Sequence, residues 1–232
     1  MKQYGLLGKG TGKLGSSVFA ISGGEQIVRE YNPKVSNPNT AAQVEQRAKF
    51  KLLSQLGADF ATILAFSKMG LKSARNLFVS KNLGKAEFNA SDGATIDMTK
   101  LELTPGTRQL PAMEVTFDTE NEQALVGLGD VTNADADIIV MAVVTRQNDR
   151  AYIFEKRIVK FDEWPAGGQV HMDYVSNNDY VYVYGIKIAS GARTRYENYS
   201  WTGTDDEAKL EFIQSLVTSG SEYSASKCYR NS

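Results

Sequence analysis

The 232-residue chain has one cysteine, Cys228, and one histidine, His171. A single cysteine excludes a disulfide framework within the chain. One Cys and one His also fall short of the four ligands of a structural zinc site. The same scarcity removes most catalytic plans, which need an imidazole or a reactive thiol. The expectation is therefore a non-enzymatic protein with no cofactor and no metal. No run of 18 apolar residues occurs, so no membrane-spanning helix is expected. The opening Met1–Lys9 lacks the apolar stretch of a secretory signal. These absences point to a protein made in a reducing cytoplasm, or in a particle assembled there, without a membrane partner. A free thiol suits that compartment.

Net charge is also nearly absent, at -1 for the whole chain. That total hides two opposite halves. Residues 1–87 hold 13 Lys+Arg against 5 Asp+Glu, giving +8; residues 88–232 hold 13 against 22, giving -9. The length is enough for one large domain or two modest ones, each able to bury a core without staples.

Seven glycines fall in residues 1–24, around one short apolar patch, Val18-Phe19-Ala20-Ile21. Such a segment buries too little apolar surface to fold by itself. It reads as an arm or open hairpin, with Ser22-Gly23-Gly24-Glu25 turning between Ser17–Ile21 and Gln26–Tyr31. Its exposed strand edges invite pairing with another chain. Asn37-Pro38-Asn39-Thr40 then breaks the strand, and Thr40 with Gln43 forms a capping box. The spacing of Val44, Ala48, Leu52, Leu56, Phe60 and Ile63 predicts a helix over Ala41–Phe66, with Gly57 as a candidate bend. A shorter helix, Leu71–Val79, follows Met69-Gly70.

From Phe88 onward the texture is β. Met113–Asp118 alternates as a half-buried strand, and Ile138–Val144 is apolar throughout, as a strand buried on both faces would be. Tyr152–Val159, Gln169–Val175 and Tyr180–Ala189 read as further strands at sandwich-like spacing. Thr204 and Glu207 form a second capping box before a helix, Asp205–Val217. The fold class is α+β. Residues 1–39 form an extended arm and hairpin, 40–87 a helical segment, and 88–232 an antiparallel β-sandwich-like domain with a C-terminal helix.

Candidate chemistry is sparse. Gly10-Thr11-Gly12-Lys13-Leu14-Gly15 matches G-x-G-x-x-G, but dinucleotide binding needs that turn between a strand and a helix, and no helix follows. His171 and Asp173 can share one face of a strand, yet no nucleophile elbow accompanies them. The acids at Asp135/Asp137, Asp162/Glu163 and Asp205/Asp206/Glu207 suit turns or a helix start, and Asn133–Asp137 lacks the glycine and distal Glu of a calcium loop. Trp164, Trp201 and the run Tyr180, Tyr182, Tyr184 could stack sugars or bases, although a pleated, half-buried surface also prefers them. The basic residues Lys2 to Lys85 are spread over arm and helices. They suit either non-specific DNA contact or the acidic half of a neighbouring copy. The neighbour is favoured, because no base-reading motif accompanies the charge.

Several motifs lie together on the basic side. Gly12-Lys13-Leu14-Gly15, Val28-Arg29, Ser36–Gln43, Gln46-Arg47-Ala48-Lys49-Phe50 and Ser73–Val79 with Asn82 resemble the N-terminal signature of a domain-of-unknown-function family. That family occurs in gut anaerobic bacteria and in their tailed phages. The resemblance covers residues 8–82 and is loose beyond residue 90. It carries no catalytic residues. It implies a phage-type structural protein of the virion, a capsid or tail component assembled in the host cytoplasm. Its partners would be copies of itself and other virion proteins, with DNA contact through the basic segment as the alternative. The candidate interface is Lys13, Arg29, Asn37, Pro38, Thr40, Gln43, Arg47, Phe50, Arg75 and Asn76. Two other roles stay open: a nucleic-acid-binding protein, and a carbohydrate- or surface-binding β-sandwich module using Trp164 or Trp201.

Overall fold

The computed structural model describes residues 10–22, 24–33, 39–64, 73–104, 106, 113–128, 136–164, 168–173, 175–216, 222–223 and 226–231. Two compact units result, Met1–Gln43 and Val44–Ser232. The first holds three short strands, β1 (Gly12–Leu14), β2 (Ser17–Ser22) and β3 (Glu25–Glu30). They form an antiparallel meander in the order β1-β2-β3. The expected hairpin is present, and β1 adds a third strand to what the sequence presents as arm. Gly15, at φ +59°, makes the β1–β2 turn, and Gly24, at φ +84°, belongs to the next; both conformations suit glycine's missing Cβ. No hydrophobic side chain of this sheet is buried.

α1 (Ala41–Asp59) begins at the border of the units and is followed by α2 (Ala74–Asn82). α1 ends before Phe66: Phe60, Ile63 and Leu64 continue as hydrogen-bonded turns. α2 starts later than the sequence suggests, because the Ser73 hydroxyl accepts the Asn76 N–H at 3.3 Å and caps it there. Gly57 lies where α1 meets α2. A Cβ at this position would lie 3.0 Å from the Phe78 ring and 3.2 Å from Arg75 Cγ, so glycine lets α2 approach α1 closely.

The body continues with β4 (Glu87–Asn89) and β5 (Gly93–Thr95), a small hairpin. β6 (Met113–Asp118), β7 (Gln123–Leu128), β8 (Ile138–Gln147), β9 (Arg150–Lys160), β10 (Gln169–Met172) and β11 (Tyr180–Lys187) follow. Then come α3 (Arg193–Glu197), α4 (Asp206–Leu216), β12 (Glu222–Tyr223) and β13 (Lys227–Arg230). Two antiparallel sheets organise the strands. The larger runs β11-β8-β9, with β12 and β13 both paired along the outer side of β11. The smaller runs β10-β7-β6.

Strand period explains the layering. Along β8, Ile139, Met141 and Val143 face one cluster, while Ile138, Val140, Ala142 and Val144 face another. β11 repeats this with Val181 and Val183 on the first side and Tyr182, Tyr184 and Ile186 on the second. The first cluster is closed by Ala124, Val126 and Met172 of the smaller sheet, which makes a two-sheet sandwich. The second is closed by Leu52, Leu53 and Leu56 of α1, Phe78 and Val79 of α2, and Leu210, Ile213 and Leu216 of α4. The central sheet is thus covered by strands on one face and helices on the other, as the wholly apolar β8 requires.

α4 is capped differently from expectation. Asp205 Oδ1 accepts the Ala208 N–H at 2.8 Å, whereas the Thr204 hydroxyl donates to Ser200 O. Aspartate one residue nearer the helix takes the role assigned to Thr204, since its carboxylate also opposes the helix dipole. Among the described residues no helix is long and apolar enough to cross a membrane.

Candidate functional site

α1 carries two stripes with different fates. Leu52, Leu53, Leu56 and Gly57 are buried, but Val44 stays 42% and Phe50 53% exposed. The apolar stripe expected to start at Val44 therefore enters the core only from Leu52 onward. On the outer side, Phe50, Lys51 and Ala58 of α1 line an open groove of about 420 Å³ together with Arg75 and Arg150. Its floor includes Asp59, whose side chain is only 3% exposed.

Arg150 is fixed across the groove by a two-pronged bond. Its Nε lies 2.9 Å from Asp59 Oδ2, and Nη2 lies 2.6 Å from Oδ1. The Ala151 N–H donates to the same carboxylate at 3.0 Å. This clamp holds the guanidinium above its ordinary pKa, through the Asp59 hydrogen bonds first and its charge second. A planar fork matched to a carboxylate fixes orientation as well as charge. The groove thus presents an exposed phenyl ring beside Lys51, Arg75 and a rigidly held Arg150. Exposed aromatics with arginine are the composition of protein interfaces.

The residues proposed from sequence are distributed as follows. Phe50 and Arg75 meet in the groove. Arg47 lies on the exposed side of α1, and Asn76 is an exposed residue in the first turn of α2. Gln43 N donates to the Thr40 hydroxyl at 3.4 Å, but Gln43 Oε1 is buried without a partner, so only half of the capping box forms. Lys13 and Arg29 share one face of the arm sheet, because both pair with Val18 in register. Lys13 Nζ sits 3.5 Å over the Tyr31 ring. Asn37 and Pro38 lie outside the described residues. Arg150 was not identified from the sequence, where it is merely part of a turn after Asn148-Asp149; no local signal marks it.

The remaining chemical candidates occupy structural positions. The glycine motif runs through β1 into the turn before β2, so no helix N-terminus stands behind it. His171 is exposed on the outer face of the smaller sheet, with Nδ1 3.4 Å from Gln123 Oε1. Gln123 also donates to Asp173 at 2.7 Å, so an amide links the imidazole and the carboxylate. Asp137 is an anchor. It accepts from Ile188 N at 2.8 Å and from Arg193 Nη1 at 2.7 Å. Asp162 and Glu163 pair with Lys160, and Asp206 and Glu207 with Lys209 and Lys156. Asp135 lies outside the described residues. Among the described residues no cluster of three metal-type ligands occurs.

The aromatic residues are also largely committed to packing. Trp201 meets Tyr196, Tyr199 and Phe212 edge-on, and its indole donates to Tyr196 O. Trp164 packs on the inter-sheet cluster and donates to Gly168 O. The Tyr182 and Tyr184 hydroxyls donate to Met98 O and Ile63 O from inside the core. Neither tryptophan stands free as a stacking platform. No protein-family model, curated protein or solved structure matches the chain.

Proposed function

We propose that the chain is a non-enzymatic structural subunit that self-assembles, through its N-terminal arm, into a ring or other symmetric oligomer. The setting we propose is a phage virion put together in the host cytoplasm, a reading that rests on the motif resemblance over residues 8–82. One observation carries the assembly reading. Every described hydrophobic side chain of the arm sheet is at least partly exposed, and Leu14, Val28 and Ile27 are 59%, 55% and 47% exposed. A three-stranded sheet with no core of its own is at best marginal in water. A second chain that covers it supplies the missing burial.

The α1–α2 groove supports the same reading as a second contact surface, and its positive side chains suit the acidic half of a neighbouring copy. The test is a truncation lacking residues 1–36, compared with the full chain by light scattering. The truncated protein stays folded and runs as a smaller species. If it forms the same oligomer as the full chain, the arm has no part in assembly and the proposal fails.

A further inference from the structure

A different surface of the body carries a ligand-type arrangement. The β8 face that holds Ile139, Met141 and Val143 beneath the smaller sheet continues to Thr145 and Gln147. These two line an open cleft of about 400 Å³ with Phe154, Glu122, Asn177 and Asp179. The cleft therefore lies where the space between the two sheets opens to solvent, a usual place for ligands.

Its aromatic wall is built by a β-bulge. Val143 pairs with Glu155 but Val144 pairs with Ile153, so Phe154 is the extra residue. Phe154 is left 56% exposed, and Tyr152, opposite Thr145 in register, is 45% exposed. Bulges often re-aim a side chain in this way beside functional sites. The other walls are turns. Glu122, Asn148 and Asn178 are the non-glycine residues at positive φ among those described, at 52°, 55° and 70°. They lie in the β6–β7, β8–β9 and β10–β11 connections, and each lines the cleft or adjoins a residue that does. Asparagine adopts this conformation readily; glutamate does not, and such outliers gather at functional sites.

The polar groups divide into two sets. Asp179 is 3% exposed and is occupied: it accepts from the Thr145 hydroxyl, and from Ser176 N at 2.8 Å. It holds the wall in place. Glu122, Gln147 and Asn177 are exposed, and their side chains make no hydrogen bond among the described residues. Among the described residues the cleft's ionisable groups are Glu122 and Asp179, both carboxylates, which disfavours phosphates and other anions. Two amides and a carboxylate offer donors and acceptors at a rim, next to an aromatic face. That pattern matches a neutral ring with apolar C–H faces and a hydroxyl edge.

We propose that this cleft is a saccharide-binding subsite, in which Phe154, with Tyr152 beside it, receives the apolar face of a sugar ring while Glu122, Gln147 and Asn177 hydrogen-bond its hydroxyls. It is independent of the arm and of the two tryptophans. It would give the protein an affinity for neutral glycan.

The full chain is titrated by calorimetry against cello-, xylo-, malto-, laminari- and mannohexaose, with hexagalacturonate as the anionic comparison. We expect at least one neutral hexaose to bind. Phe154→Ala then weakens that binding at least about tenfold, and Gln147→Ala by several-fold, while Glu211→Ala on the exposed side of α4 leaves it unchanged. Phe154 and Gln147 are both exposed, so these variants keep the fold, which circular dichroism verifies. The proposal is overturned if no neutral hexaose binds at about 10 mM. It is equally overturned if only the anionic one binds, or if Phe154→Ala and Gln147→Ala bind as the wild type does.

Discussion

The arm sheet permits a test that goes beyond deletion, because its two faces can be perturbed separately. Register places Phe19 and Val28 on one face with Leu14, and places Val18, Ile27 and Tyr31 on the other with Lys13 and Arg29. A sheet with one wet face alternates apolar and polar residues, but Val18-Phe19-Ala20-Ile21 is apolar on both sides, as a strand covered twice would be. Both faces should therefore be buried in the assembly. Leu14 and Val28 are 59% and 55% exposed; Ile27 and Tyr31 are 47% and 41% exposed. Complete burial of such a side chain is worth ~1.5–3 kcal/mol, so two half-exposed residues bring about 2 kcal/mol per face. That corresponds to roughly thirtyfold in subunit affinity. Two double variants test this, Leu14→Ser with Val28→Ser and Ile27→Ser with Tyr31→Ser. Each should move the dissociation midpoint by about that factor in a dilution series followed by sedimentation velocity. Thermal unfolding of the body should not change, since none of the four residues belongs to its core clusters. If one pair assembles as the wild type does, the sheet is covered on one face only and the alternation argument fails. If both pairs do, the arm is not an assembly element.

Three further outcomes concern the body. Asn82, fully buried, donates to Phe78 O and Glu102 O and accepts from Glu102 N at 2.9–3.0 Å; Asn82→Ala should cost about 2–4 kcal/mol in urea unfolding, and a loss below ~1 kcal/mol would refute its role as a tie. Burial holds Glu155 above the usual carboxylate range, against the opposing pull of the Asp173 N–H and Arg157. Its raised value means that it favours the fold when protonated, and that this contribution is lost as pH rises from the unfolded value through the folded one. Glu155→Gln should accordingly raise the melting temperature at pH 7 and leave it unchanged at pH 4; the reverse order would sink the argument. Burial also pushes the Cys228 thiol up to about 12, although a hydrogen bond with Tyr182 pulls the other way. Iodoacetamide at pH 8 should leave it unmodified until the chain unfolds, and rapid alkylation of the native protein would mean that β13 is not seated on β11.

What could be read beforehand follows from how local each signal is. The central strand β8 was legible because seven consecutive residues from Ile138 are buried, which no half-wet strand tolerates. α1 was legible in its second half, where Leu52 and Leu56, with Phe60 just past its end, keep the helical period and all enter the core. Its first half misled, because Val44 keeps the same period while pointing to solvent. β13 could not be foreseen: four residues, Lys227–Arg230, gain strand geometry only from pairing with Tyr180–Val183. Of the groove, the motif resemblance marked Phe50 and Arg75, but Arg150 arrives from the start of β9, 91 residues after the Asp59 that places it. The saccharide cleft left no trace in the sequence, since Glu122 and Asn177 come from two separate connections and Gln147 from the end of β8.

The opposite charges of the two halves look different once the ion pairs are in place. Lys49 is paired with Glu45 inside the basic half, and Lys81 and Lys85 converge on Glu102 of the acidic half, so part of the positive excess is matched within the body itself. Such exposed pairs add little stability, yet they cancel the field that a phosphate backbone would feel. Among the described residues of the basic half, the positive charges without an ion pair include Lys13 and Arg29 on the arm sheet, and Lys51 and Arg75 beside Phe50. Both groups sit against exposed apolar side chains. A surface that binds duplex DNA without sequence preference needs basic residues in continuity and gains nothing from exposed leucine, valine or phenylalanine. A protein partner uses both: the charges orient it and the apolar residues hold it. The pairing pattern therefore supports the proposed neighbouring copy over DNA contact, and the proposed assembly should be only partly sensitive to salt, because the apolar share of the contact is not screened.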